Sequence, residues 1–319
     1  MKKVYLIISA YNEEENLAVL HAGLHKELKN ISFENYELVF VNDGSRDQTL
    51  NVLKALQKTD SHITIINQSK NFGHEMAMTA GLNYVAEHNN EKEFAVLFMD
   101  ADLQHPPKMA AEMIQNWLEG YKLVLTQRTD NEDKGLKYRI LGNTYYKILN
   151  FLSDVKIPRN MPDFRLLDRK YVIWINQLNE TDRMFRGMLS LVGLQDALIL
   201  EFTAPKRFAG TSKYNFLKLY KLAIDSVIQF SVKPLRLATF LGFLGCFFSV
   251  LFLAYSIYIS HVNNEPKTGF LTLLSVMIFF CSLIMLFLGI LGEYIGRIHI
   301  EVKNRPLYFN EIIKDEEQN

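Results

Sequence analysis

The chain has 319 residues, enough for one large domain or for a domain with an appendage. Its 35 Lys and Arg balance its 35 Asp and Glu, which argues against a general nucleic-acid surface. Both cysteines, Cys246 and Cys281, sit inside long apolar runs, as small core hydrophobes rather than disulfide or zinc ligands.

Met1-Lys2-Lys3 leads straight into an apolar run, so no signal peptide is expected. That run, Val4 to Ala10, is continuous, which predicts a strand buried on both faces. Tyr11 to Asn16 follows as a loop. Leu17, Leu20, Leu24 and Leu28 then predict an amphipathic helix, with the acidic residues 13–15 in its first turn complementing the dipole. Tyr11 and Glu13, on a strand-to-helix loop, are candidates to face a nucleotide base and ribose. Ordinary helix-start chemistry accounts for them equally.

Tyr36 to Val41 is a second strand, ending in Asn42-Asp43-Gly44-Ser45. Gly44 permits a tight turn, and Ser45 or Asp47 can cap a helix from Gln48. Asp43 can accept a hydrogen bond from a base or ribose. Ile63 to Asn67 is a third strand, and Ser69-Lys70-Asn71-Phe72-Gly73 opens a helix at His74. Lys70 there is either a phosphate contact or a solvated lysine.

Phe94 to Met99 is a fourth buried strand that ends abruptly in Asp100 and Asp102, with Gln104 two further on. Carboxylates at the carboxyl end of a buried strand lie where open α/β sheets bind ligands. Asp-x-Asp with a nearby amide oxygen supplies hard oxygen ligands for Mg²⁺ or Mn²⁺ shared with substrate phosphates. An Asp-capped turn is the plain alternative for the tripeptide alone. Pro106-Pro107 starts a helix with Met109, Met113 and Trp117 on its apolar side. Lys122 to Thr126 is a fifth strand, delivering Gln127-Arg128 to the same edge. Alternating strands and helices predict a mostly parallel sheet. The Gly-x-Gly-x-x-Gly fingerprint and the Gly-Lys-Ser/Thr phosphate loop are both absent. Phosphate must therefore be handled by metal and basic side chains.

Leu136 to Leu152 predicts a basic amphipathic helix that covers the sheet or lies on a membrane. Asp163-Phe164-Arg165-Leu166-Leu167 is a strand-like run led by a carboxylate. Lys206 to Tyr214 is a glycine-centred loop whose three basic residues and hydroxyls suit a diphosphate or lipid phosphate. Tyr214 to Phe230 predicts an interfacial helix. Leu237 to Ser260 and Thr268 to Gly292 hold no charged residue, and each exceeds the roughly 20 residues that cross a bilayer core. Joined by only His261 to Lys267, they predict a transmembrane hairpin. The excess of Lys and Arg on its outer flanks puts both flanks in the cytoplasm. Glu293 and Arg297 are placed to pair, and residues 315–319 read as a frayed tail.

In order, the motifs are Tyr11-Asn12-Glu13-Glu14, Asn42-Asp43-Gly44-Ser45, Lys70-Asn71-Phe72-Gly73, Asp100-Ala101-Asp102-Leu103-Gln104-His105-Pro106-Pro107, Asp163-Phe164-Arg165-Leu166, Arg207-Phe208-Ala209-Gly210-Thr211-Ser212-Lys213-Tyr214 and Gly292-Glu293-Tyr294-Ile295-Gly296-Arg297. This set resembles the polyisoprenyl-phosphate glycosyltransferases. These are inverting family-2 enzymes of GT-A fold, similar to dolichol-phosphate mannosyltransferases and bacterial bactoprenol glucosyltransferases. The likeness runs from about Val4 to Tyr308; Asn42 departs from the Asp-Asp-Gly-Ser of many relatives but leaves Asp43 in place.

The resemblance implies an α/β GT-A catalytic domain over residues 1–205 and a phosphate-binding loop with interfacial helix over 206–234. It implies two transmembrane helices within 235–293, at about 237–260 and 268–292, and a cytoplasmic tail over 294–319. It implies transfer of one sugar from a nucleoside-diphosphate sugar, UDP-glucose or another UDP-hexose, to polyprenyl phosphate for cell-envelope glycans. Ser9, Tyr11, Glu13, Val41, Asp43, Asp100, Ala101 and Arg128 are then the nucleotide-sugar residues. Asp100, Asp102 and Gln104 hold Mg²⁺ or Mn²⁺, and Arg165, Arg207, Ser212 and Lys213 meet phosphate. Asp163 joins Asp100 and Asp102 as a catalytic residue, orienting the acceptor or acting as a weak base. A membrane-embedded homo-oligomer, with a flippase and a downstream transferase as partners, is also implied. Two rivals are a processive polysaccharide synthase and an inert nucleotide-binding scaffold. Trp117 and Trp174 lack the Gln-x-x-Arg-Trp context of the first, and the intact acidic triplet argues against the second.

Overall fold

A computed structural model describes residues 2–31, 33, 35–129, 161–178, 180–181, 183–205, 233–263 and 269–313. The helices expected over 136–152 and 214–230 and the loop over 206–214, with Arg207, Ser212 and Lys213, lie outside the described residues.

Strand β1 (Lys2–Ala10) is buried from Val4 onward. Successive strand residues point to opposite faces, and here both faces are covered, which is why its apolar run is unbroken. Val4, Leu6 and Ile8 pack in one core with Leu17, Leu20, Leu24 and Leu28 of helix α1 (Leu17–Asn30). Tyr5 and Ile7 pack in the other with Ala77 and Ala80 of α3 (His74–His88). The first core also takes in α2 (Thr49–Gln57) and α4 (Pro107–Leu118). The second takes in two short helices, α5 (Arg169–Asn176) and α6 (Phe185–Val192).

The remaining strands are β2 (Tyr36–Asn42), β3 (Ile63–Gln68), β4 (Glu93–Asp100), β5 (Leu123–Arg128), β6 (Arg165–Asp168), β7 (Ala197–Phe202) and β8 (Asn310–Ile313). The sheet order is β7-β5-β6-β4-β1-β2-β3-β8. Strands β1 to β4 are mutually parallel, and β6 is wedged antiparallel between β4 and β5. That inversion brings the start of β6 to the edge where β1, β2, β4 and β5 end. The register sets Ser9 beside Asp100 and Arg165 beside Phe98.

Two local expectations change. Helix α1 starts at Leu17 with no acidic residue in its first turn, so residues 13–15 belong to the loop before it. Helix α2 starts at Thr49, whose amide donates to Asp47 Oδ1 at 3.0 Å. Before the segment expected to fray, residues 310–313 form β8, antiparallel to β3, fastened by Gln57 Nε2 donating to Ile313 O at 3.1 Å and Asn67 Nδ2 to Glu311 Oε1 at 2.9 Å; residues 315–319 lie outside the described residues.

A second compact unit contains α7 (Lys233–Asn263) and α8 (Phe270–Val302), of 31 and 33 residues. At about 1.5 Å per residue each exceeds the roughly 30 Å hydrocarbon layer of a bilayer. Phe243, Phe247, Val250, Met285 and Ile295 are among its exposed side chains, and Cys281 is a free thiol. Within α8, Val276–Val302 is long and apolar enough to cross a membrane. Arg297 Nε lies 3.6 Å from Glu293 Oε1, one helical turn away.

Candidate active site

Asp100 ends β4 with its side chain one third exposed. Its Oδ1 accepts from Ser9 Oγ at 2.8 Å, the residue the β1–β4 register sets beside it. His74, the first residue of α3, brings Nδ1 to 3.0 Å from Ser9 Oγ and 3.3 Å from Asp100 Oδ1. Partial burial works to raise the Asp100 carboxyl. The field of His74, the Ser9 hydroxyl and Arg186 outweigh it and hold the carboxyl below its ordinary range. The buried His105 ring accepts the Asp100 amide at Nδ1, 2.9 Å away, and stacks on Phe164 with centroids 4.5 Å apart. Burial lowers its pKa, which suits a neutral ring accepting at that nitrogen.

Asp102 sits two residues on, in a loop turned by Leu103 at φ 61°, and its Oδ1 accepts the Gln104 amide at 3.0 Å. Among the described residues no three His, Cys, Asp or Glu side chains gather as a closed metal cage. Two carboxylates at the end of a strand, one with an oxygen held by Ser9, are instead the hard, incomplete donor set that a Mg²⁺ or Mn²⁺ ion shares with phosphate oxygens. The residues present fit such an ion.

Asp163, 7 % exposed, precedes β6 at the same edge. Arg165, buried in the sheet, pairs with its Oδ1. Burial lowers the Arg165 guanidinium to about 9, with Arg186 pushing the same way, which leaves it charged at neutral pH. Arg186 of α6 donates to Asp163 Oδ2 at 3.0 Å, and His74 Nε2 lies 3.8 Å from the same oxygen. One imidazole therefore stands between Asp100 and Asp163.

The neighbouring loops are interlocked. Asp43 is buried, and its carboxylate accepts the Phe72 amide at 2.7 Å and the Gly73 amide at 3.0 Å. Burial pushes this carboxyl up against the pull of those two amides. A side chain at Gly44, φ +61°, would meet the Lys70 carbonyl carbon at 2.2 Å, so only glycine lets the two loops touch. Glu13 accepts from Asn16 Nδ2 at 2.5 Å, and its amide donates to Thr49 Oγ1 at 2.9 Å.

Of the residues expected from sequence, Ser9, Asp100, Asp163 and Arg165 form one connected cluster. Tyr11 is 39 % exposed at the rim, and Arg128 ends β5 half-buried. Val41 is fully buried in the core, paired in the sheet beside Ser9 and Ile66, and presents no exposed surface to a ligand. Ala101 is buried too, its amide donating to Ser9 O at 3.1 Å. Sequence reasoning missed His74 and Arg186 as members. His74 follows the Lys70–Gly73 loop and could have been flagged there, whereas no local pattern marks Arg186.

Residues 5–174 match the model of glycosyl transferase family 2, and residues 233–298 match that of the GtrB C-terminal hairpin. An SfII prophage-derived bactoprenol glucosyl transferase of Shigella flexneri is 36 % identical over 306 residues, 96 % of either chain. An uncharacterized glycosyltransferase of Bacillus subtilis, YkcC, is 37 % identical over 303 residues, 95 % of this chain and 91 % of that one. Among solved structures, mannosyl-3-phosphoglycerate synthase from Rubrobacter xylanophilus aligns over 73 % of this chain and 74 % of its own, with TM-score 0.48 and 17 % identity.

Proposed function

The chain belongs to glycosyl transferase family 2, and from that premise we propose that it moves one sugar from a UDP-hexose to the phosphate of a polyprenyl lipid. The observation that carries this reading is the cluster of Asp100, Ser9, His74, Asp163, Arg165 and Arg186 in a chain that also holds a long apolar helix pair. Support also comes from relatives named bactoprenol glucosyl transferase that match nearly end to end.

Asp100, Asp102 and Gln104 would hold Mg²⁺ or Mn²⁺, which supplies positive charge against the departing diphosphate. Ser9 and His74 both hold Asp100 Oδ1, so the carboxylate is preorganised and needs no rearrangement during reaction. Tyr11, Glu13 and Asp43 border the nucleotide, with the 70–73 loop set by Asp43. Arg128 of this strand edge and Arg207, Ser212 and Lys213 of the basic loop meet phosphate. The acceptor phosphate, whose second pKa is about 6, arrives already ionised at neutral pH. Its oxygen attacks the anomeric carbon opposite the diphosphate and inverts it, and Asp163 orients it rather than serving as a strong base. The hairpin sits in the cell membrane with the catalytic domain on the cytoplasmic side, the chain acting as a homo-oligomer that passes its product to a flippase and a second transferase.

The test offers purified protein a panel of labelled sugar nucleotides with undecaprenyl phosphate. The expected product is a chloroform-soluble lipid-linked monosaccharide whose formation stops with a chelator. A water-soluble polymer, or label that never enters the lipid phase, would overturn the reading.

A further inference from the structure

A transfer between two phosphate-bearing substrates has two anions to place, and the following rests on the polyprenyl-phosphate reading above. The site's contacts form a row. Asp100 Oδ1 lies 3.3 Å from His74 Nδ1, His74 Nε2 lies 3.8 Å from Asp163 Oδ2, and that oxygen accepts from an Arg186 terminal nitrogen at 3.0 Å. Arg186 thus stands at the opposite end of the row from the carboxylates suited to a cation. In an inverting displacement the nucleophile enters on the side away from the leaving group. If the diphosphate lies at the Asp100 end, the incoming phosphate lies toward the Arg186 end.

The charges point the same way. Asp163 brings one negative charge, and Arg165, 3 % exposed, already matches it inside the sheet. Arg186 is a second cation on that carboxylate, and unlike Arg165 it is 38 % exposed. Its Nε and one terminal nitrogen face Asp163, at 3.5 and 3.0 Å, which leaves the other edge of the fork for a second oxyanion. The backbone beneath it is held. Phe185 is fully buried with its ring 5.3 Å from that of Phe98, and its amide donates to Glu75 Oε2 at 3.2 Å. A cation fixed this way loses little freedom on meeting an anion, which favours binding.

We propose that Arg186 is a binding residue for the acceptor's phosphate, with Asp163 as the anchor that aims its guanidinium. The experiment measures initial rates for the wild type, Arg186→Gln and Arg186→Lys. Undecaprenyl phosphate is varied at saturating sugar nucleotide, then the reverse. The expected result is a roughly 10- to 100-fold rise in the acceptor KM of Arg186→Gln, the loss that follows removal of a hydrogen bond to a charged group. The donor KM should stay within about twofold, and Arg186→Lys should recover part of the loss. If Arg186→Gln does not fold, Arg186→Lys carries the test, since it keeps the charge and loses the planar fork; its acceptor KM alone should rise. An unchanged acceptor KM, or a rise in the donor KM instead, overturns the proposal while the functional reading stands. Absence of any transfer to lipid by the wild type overturns the functional reading and the proposal with it.

Discussion

Gly44→Ala should damage stability and transfer together, because Gly44 is where the second strand's loop leans on the loop that opens α3. Its φ of +61° is left-handed, which costs a residue with a side chain about 1–2 kcal/mol. The new methyl would also meet Lys70 C, Asn71 N and Lys70 Cα at 2.2, 2.5 and 2.6 Å, all of them backbone. A flexible side chain could swing away, but a backbone segment must move as a body, an overpacking cost of about 1–3 kcal/mol. The sum is roughly 2–5 kcal/mol. The segment that must move carries the two amides bound by Asp43 and leads directly into His74. Displacing His74 by about 1 Å should cut transfer on the order of 100-fold. Gly120→Ala is the control, at φ +118° with nothing within 4 Å of the added carbon, in the turn after α4 at the other end of the sheet. Backbone strain alone should cost it about 1–3 kcal/mol and leave transfer untouched. Urea unfolding gives the stabilities, and labelled-sugar transfer below the unfolding range gives the activities. Wild-type transfer by folded Gly44→Ala would refute the claim that this contact sets the active-site loop.

Asp102→Ala should abolish transfer while lowering the unfolding midpoint far less than the loss of a buried charge would, since its Oδ1 accepts the Gln104 amide within one local turn; retained, chelator-sensitive transfer would remove Asp102 from the proposed cation site. Asp163→Ala should lose transfer and also about 3–5 kcal/mol of stability, because it strands the buried Arg165 without its counter-charge. Near-wild-type values on both measurements would leave Asp163 without either role. The third case is Asp60, whose carboxyl, despite burial that works to raise it, is held down to about 2 by His21 and His62, each 2.7 Å away. A folded pKa below the unfolded value near 4 means the contribution is complete above pH 4 and is lost as pH falls toward 2. Asp60→Asn should therefore flatten the acid limb of stability between about pH 4 and 2 and lower the midpoint at pH 7; an acid limb identical to wild type would refute the assignment.

Sequence pattern reached the parts of the fold where burial is two-sided. Strands β1 and β4 contain continuous apolar runs because helices cover both faces, and α1 shows its Leu17, Leu20, Leu24 and Leu28 stripe because one face is solvated. The pattern failed where an element's identity depends on its neighbours. The Ala197–Phe202 run forms β7 only because β5 offers a free edge, and its residues are largely part-exposed, so no strong periodicity marks it. Strand β8 is four residues, Asn310 to Ile313, in a polar segment; it is held by β3 and by Gln57, whose side chain reaches an oxygen 256 positions away in the chain.

The same distinction governs the site. Asp100, Asp102 and Gln104 stood out in the sequence because they alternate over five residues at the end of a buried strand, a local signal. Asp163 was legible because it leads a strand. Arg186 has no such signal: its meaning arises from the antiparallel insertion of β6, which carries Asp163 and Arg165 to the edge where β4 ends, and from the burial of Phe185, which holds α6 against that edge. His74 is an intermediate case, read correctly as a helix start but not as the ring between two carboxylates. Under the proposed roles, the cation site is written locally, while the acceptor side is assembled by topology. Substitutions that shift β6 or α6 should consequently impair acceptor use before they touch donor binding, a split that a donor-only binding assay beside the transfer assay can read.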